Sequence, residues 1–150
     1  MVTGSPVFAE EASTEAEVQV LPQDNTLYGY KVIDSENTIQ AHNALLAPDE
    51  NGTIIITNGW IEIQFEEKVT TSNKISVWAA NIGWHHSMMK VYISEDGNKW
   101  KLIANQKVEI DKYQRFDFIG NFKNVKYIKI NREGGILSLL LLDAVGILRG

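Results

Sequence analysis

Apolar and polar residues alternate along much of this chain with a period of two. In Gly59-Trp60-Ile61-Glu62-Ile63-Gln64-Phe65 the residues Ile61, Ile63 and Phe65 fall on one side, and Glu62 and Gln64 on the other. Ile75, Val77 and Ala79 repeat the pattern, as do Met89, Val91 and Ile93, then Phe116 and Phe118, then Ile128 and Ile130. Successive strand side chains point to opposite faces, so each set predicts a half-buried β-strand. No window longer than about ten residues carries the 3.6-residue period of a helix. Ala41 to Leu46 is long enough for one turn of helix, stopped before Pro48. Asn58-Gly59 and Asp96-Gly97 tolerate positive φ and predict tight turns between strands. Short strands so joined predict an all-β sandwich or barrel.

At 150 residues the chain predicts one domain, with residues 16–150 forming it and residues 1–15 as a leader. Val7 and Ala9 have the spacing of small residues before a signal-peptidase cut, although no basic or long apolar stretch precedes them. The segment reads as the remnant of a signal peptide, which predicts secretion or display at the cell surface; the alternative is a cloning scar before an acidic leader. There is no cysteine, so disulfides, thiolate metal sites and cysteine nucleophiles are excluded. The net charge of -5, with no Lys/Arg cluster, argues against nucleic acid and anionic membranes as partners. The run from Ile136 to Leu148 is too short for a membrane span and is interrupted by Asp143, so it predicts one or two buried strands.

Four stretches occur in an order that resembles discoidin-like, galactose-binding-like domains. Asn43-Ala44-Leu45-Leu46-Ala47-Pro48-Asp49 is similar to that family's NALGAPDG opening. Val91-Tyr92-Ile93-Ser94-Glu95-Asp96-Gly97-Asn98-Lys99-Trp100 is similar to its VYxSxDGxxW hairpin. Tyr127-Ile128-Lys129-Ile130 matches a YIxI strand, and Asp143-Ala144-Val145 a closing DAV strand. The resemblance covers roughly residues 40 to 148. It implies a jelly-roll sandwich of about eight antiparallel strands, ligand loops at one end and, often, one structural calcium. Leu46 and Glu50 stand where the family has glycine, and Leu141 where it often has an acid.

Calcium takes six to eight oxygen ligands. The resemblance brings the Asp49 loop beside the last strand, making Asp49 and Asp143 the expected calcium ligands. Asp143 needs a partner in any case, because a carboxylate among Leu140, Leu141, Leu142, Ala144 and Val145 is costly to bury alone. An ion, a cation or backbone N–H groups would each serve, and exposure at a strand edge is the alternative.

The segment Asn81 to Ser87 lies between two strands and predicts a loop at one end of the sandwich. Trp84 offers the flat apolar face that a sugar's C–H surface stacks on, with Asn81, His85 and His86 as polar contacts. The alternative for Trp84 is a ring folded back over the core. His85 and His86 are adjacent and diverge on a strand, and His42 is the only other histidine, so a transition-metal site is not expected. Tyr28 and Tyr30 are further candidates to line a ligand loop. Trp60 and Trp100 read as core or edge packing, whereas Trp78 and Tyr92 point outward and read as covered by the N-terminal segment, with a small exposed patch as the alternative.

No nucleophile elbow, zinc helix, dinucleotide fingerprint or phosphate loop occurs. The expectation is a non-catalytic secreted or cell-surface module that recognises a glycan through one end of the sandwich, either as an independent small lectin or as one piece of a larger multidomain protein. The alternative is an adhesion domain that binds a protein at the cell surface and has no sugar site.

Overall fold

The computed structural model describes residues 25–134 and 137–149; the expected leader, residues 1–15, lies outside them. The elements are β1 (Thr26–Ile39), a short 3-10 turn (Ala41–Ala44), β2 (Thr53–Gly83), β3 (Ser87–Ser94), β4 (Lys101–Val108), β5 (Asp111–Glu133) and β6 (Ser138–Leu148). All strand pairings are antiparallel, in the order β1-β6-β2-β5-β3-β4, with β1 also pairing β2.

The fold is an all-β jelly-roll sandwich, and its two longest strands each run through both layers. The first layer sets β4, β3, the 127–133 part of β5, the 60–65 part of β2, and the 29–36 part of β1 side by side. The second sets the 114–125 part of β5, the 69–83 part of β2 and β6 side by side, with the 53–55 part of β2 and the 26–28 part of β1 on the far edge of β6. Between them, the β2–β5 ribbon turns a corner. Gln64 pairs Tyr127 and Val69 pairs Val125, so β2 carries extra residues that β5 lacks, and the ribbon bends there. Lys126 Nζ reaches across this corner to the Glu66 carbonyl at 3.1 Å.

The inward sets fill the space between the layers. Ile61, Ile63, Phe65, Ile75, Val77, Ala79, Met89, Val91, Ile128 and Ile130 are fully buried, and Phe116 and Phe118 pack against them half-buried. Each large apolar side chain removed from water stabilises the fold by roughly 1.5–3 kcal/mol before its entropy cost. The apolar run near the C-terminus is the single buried strand β6.

One expectation changes. Asn58-Gly59 is not a hairpin turn. Residues on both sides of it pair with β1, Thr38 against Ile55 and Glu36 against Trp60, so it is a bulge inside a continuous strand. Asn58 takes the positive φ of 56° that the bulge needs. By contrast, Asp96-Gly97 does form the β3–β4 turn, with Gly97 at φ 80°. Trp78 and Tyr92 point outward, as alternation requires, but from different layers. Trp78 packs against Tyr28 of β1, ring centroids 5.8 Å apart, and the expected cover by the N-terminal segment falls on residues outside the described ones.

Candidate functional site

Three segments meet at the end of the sandwich farthest from the corner: residues 84–86, residues 109–110, and Gly134 and Leu137 at the ends of β5 and β6. Gly83 starts the first with φ 126°, which L side chains rarely adopt. A Cβ there would collide with the Leu137 carbonyl, so only glycine lets these strands approach so closely. Trp84 N–H then donates to Leu137 O at 2.9 Å. With its backbone held, the Trp84 ring projects into solvent at 81% exposure. Ile82, Trp84, Leu137, Ser138 and Leu139 line a shallow cleft of about 370 Å³ beside it. His85 and His86 are exposed on the same loop.

Asn81 does not belong to this surface, which corrects the expectation that it contacts a ligand. It is buried, its side-chain N–H donates to His85 O at 2.6 Å, and its Oδ1 accepts from Ser87 Oγ at 2.7 Å. Position 81 shares the inward parity of Ile75, Val77 and Ala79, so its amide faces the core and braces the loop from below. Arg132, which the sequence reading missed, completes the brace. Its guanidinium is buried and donates to Ser87 Oγ at 3.1 Å, Ser138 O at 2.6 Å, Ser138 Oγ at 2.8 Å and Gly134 O at 3.4 Å. Its signal was present: Ile128, Ile130 and Arg132 share one strand face. One charged network thus ties β3, β5 and β6 directly beneath the exposed loops.

Tyr30 is exposed, but it is not brought to Trp84. It bulges between Gly29 and Lys31 beside Phe65 and Gln64, at the corner end. From Tyr127, opposite Gln64, to Glu133 is six residues of β5, or ~20 Å at about 3.3 Å each.

Asp49 and Asp143, by contrast, do meet. Asp143 is the extra residue where Trp78 pairs Ala144 and Ala79 pairs Leu142, so a β-bulge turns its carboxylate towards the loop before β2. It is 1% exposed. Its Oδ1 accepts N–H bonds from Asp49 at 3.2 Å and Glu50 at 3.0 Å. Its Oδ2 is sealed with no hydrogen-bond partner. Burial raises the Asp143 pKa from its ordinary value, against the pull of the two amides, and the neighbouring Asp49 carboxylate raises it further. Asp49 is shifted down, chiefly by the Asn51 N–H at 2.9 Å. Tyr113, a second residue missed in the sequence, lies beside this group; burial and then the Asp143 charge push its phenol up. Among the described residues no cluster of three or more His, Cys, Asp or Glu side chains is present. The loop keeps a glycine-like path without glycine: Leu46 has φ 68° and Glu50 φ 64°.

No protein-family model and no curated protein matches this chain. Solved structures do match its fold. A pectin-binding carbohydrate-binding module aligns with TM-score 0.61 and 13% identity over 81% of this chain and 91% of its own. A family 29 carbohydrate-binding module aligns with TM-score 0.58 and 12% identity over 81% and 80%. The family 32 module of AlyQ, solved with 4,5-unsaturated mannuronic acid, aligns with TM-score 0.58 and 10% identity over 81% and 98%. At these identities the likeness carries the β-sandwich fold, and all three structures are carbohydrate-binding modules.

Proposed function

We propose that this domain is a non-catalytic, discoidin-like carbohydrate-binding module that holds a sugar against Trp84 at the loop end of the sandwich. One observation carries the reading: an indole 81% exposed to water on a backbone fixed from two sides. A large apolar ring left in solvent on a rigid mount suits stacking against a sugar, because little entropy remains to be lost on binding. His85 and His86 stand ready to donate or accept beside it, and the cleft lined by Ile82 and Leu139 gives the sugar a second wall. The fold shared with carbohydrate-binding modules supports the class of ligand.

A glycan array probed with the intact chain tests the reading. Binding to at least one glycan, lost on Trp84→Ala while the fold persists, is the expected result. An array with no bound glycan, or binding indifferent to Trp84→Ala, overturns it.

The proposal extends to a structural calcium at Asp49 and Asp143. The partnerless Oδ2 of Asp143, an oxygen with spare lone pairs beside a second carboxylate, fits a hard cation, with loop carbonyls and water making up the coordination. An ion bound only by the folded state must raise the melting midpoint. An unchanged midpoint in excess chelator removes calcium from the proposal. Secretion or cell-surface display, and service within a larger protein, complete the reading. Single-sugar sites are weak, and modules gain avidity in series.

A further inference from the structure

Lysines scattered along the sequence meet at the corner end of the sandwich, away from Trp84. The β3–β4 turn lies beside the corner of the β2–β5 ribbon there. Lys68 of the corner and Glu95 of the turn form an ion pair at 3.0 Å that ties the two together. Asp96 Oδ1 accepts N–H bonds from Asn98 at 2.8 Å and Lys99 at 3.0 Å, which fixes the backbone of the turn. Lys101, at the start of β4, lies opposite Ile93. Lys123 lies opposite Thr71, two positions from the Val125–Val69 pair at the corner. Between these segments is a cleft of about 140 Å³, lined by Lys99, Lys101, Lys123 and Glu95 above Ile93 and Val125. Ile93 and Val125 are buried and form an apolar floor. From Ser87, beside the loops, to Ser94 is seven residues of β3, so the cleft lies ~23 Å from the loop end at about 3.3 Å each.

The cleft is cationic in a chain whose net charge is -5. Lys68, Lys99, Lys101 and Lys123 against Glu95 and Asp96 leave +2 around it. Glu95 is matched by Lys68, and no carboxylate among the described residues pairs with Lys99, Lys101 or Lys123. Like charges over an apolar floor reinforce one another's field, and an anion between them relieves their repulsion. We propose that this cleft is an oxyanion site that takes a sulfate ester of a sulfated glycan. Lysines are point charges, without the planar fork with which arginine grips a carboxylate. Three of them around one group match an anion with three terminal oxygens. The volume, about that of five waters at roughly 30 Å³ each, holds one such group and leaves outside the ring that bears it. A recessed cleft admits a single group on a polymer rather than a flat anionic membrane, which the negative remainder of the chain repels. The sugar that carries the sulfate rests on the reading of this chain as a carbohydrate binder; the cleft stands on its own charges.

Calorimetric titration of the intact chain with dextran sulfate and with dextran, which differ only in the ester, tests the site. Dextran sulfate should bind wild type and Trp84→Ala alike. It should bind Lys101→Gln and Lys123→Gln each about threefold more weakly, and the double variant about tenfold more weakly. Lys31→Gln removes the same charge from the β1 edge and should cost less than about 1.5-fold. Equal losses in all three single variants mean a diffuse field and overturn the site. So do an absence of binding, dextran binding as tightly as its sulfate, and polyglutamate binding as tightly as dextran sulfate. Polyphosphate held more tightly by the same two lysines gives the cleft to phosphate and overturns the sulfated glycan. Loss in Trp84→Ala alone places the polymer at the loops, which overturns the cleft and leaves the loop reading standing. Binding that needs the lysines, with no neutral glycan bound at Trp84, keeps the cleft while the loop reading fails. Backbone amide shifts in the wild type give a readout that needs no variant. Sodium sulfate, against sodium chloride at equal ionic strength, should move Ser94, Lys99, Lys101 and Lys123, and shifts scattered over the surface overturn the proposal.

Discussion

Leu46 and Glu50 hold left-handed backbone that costs an L-residue roughly 1–2 kcal/mol and glycine almost nothing. Both side chains are exposed, so little packing offsets the strain. Leu46→Gly and Glu50→Gly should therefore each raise stability by about 0.5–1 kcal/mol, after the added freedom of the unfolded chain is subtracted. Urea melts of the two variants check this, and a fall in midpoint for both contradicts it. Asp143 gives a pH signature. Its folded pKa lies above the ordinary 3.8, so the proton it keeps favours the fold. That contribution is complete below the unfolded value and is lost as pH climbs through the raised folded one. Asp49, shifted down, works in the opposite sense and gives up its contribution as pH falls. Asp143→Asn keeps an oxygen for the Asp49 and Glu50 N–H groups, offers Asp49 a donor, and carries no charge to bury. In chelator, the variant should gain on the wild type as pH rises from 4 to 7, read as the difference in thermal midpoint. A difference that is flat with pH counts against a buried charge at this position.

At the scale of elements, the inward sets were legible because alternation is a local property: Ile61, Ile63 and Phe65 need no knowledge of their partner strands to be seen as one face. The continuity of β2 and β5 through both layers was not legible. Asn58-Gly59 supplies positive φ to turns and bulges alike, and only the pairing with Glu36 and Thr38 decides between them. The meeting of Asp49 with Asp143 came from resemblance, since nothing local links residues so far apart. The brace of Arg132, Ser87 and Asn81 was hidden differently, because a polar residue on an apolar face looks like a loop until its partners are known. Those partners make it consequential. Arg132→Met strands the Ser138 and Gly134 carbonyls below the surface and leaves the Ser87 hydroxyl only its bond to Asn81, and should cost about 2–4 kcal/mol. Denaturant melts measure that loss. Amide exchange should also quicken in β3 and β6 near the loops more than at the β2–β5 corner; uniform quickening means that Arg132 serves the whole core rather than this end.

Across the whole molecule, stability and recognition occupy different parts. The core between the layers is closed by Ile, Val, Leu, Phe and Met side chains, and the Trp84 ring adds almost nothing to it. Its loop is held by a backbone bond to Leu137 and by the Asn81 amide, neither of which uses the indole. Trp84→Ala should accordingly leave the melting midpoint within about one degree of wild type, because the area it removes is already in water. Gly83→Ala should do the reverse. Its Cβ meets the Leu137 carbonyl and its φ of 126° is closed to alanine, so β2 and β6 must part where they now touch. The midpoint should fall by several degrees, and glycan binding with it, although the indole is still present. Paired calorimetric and glycan-binding measurements on the two variants separate the roles. Equal loss of midpoint in both would mean that the exposed ring is part of the scaffold after all, and the loop end would lose its claim to be a surface built for a ligand.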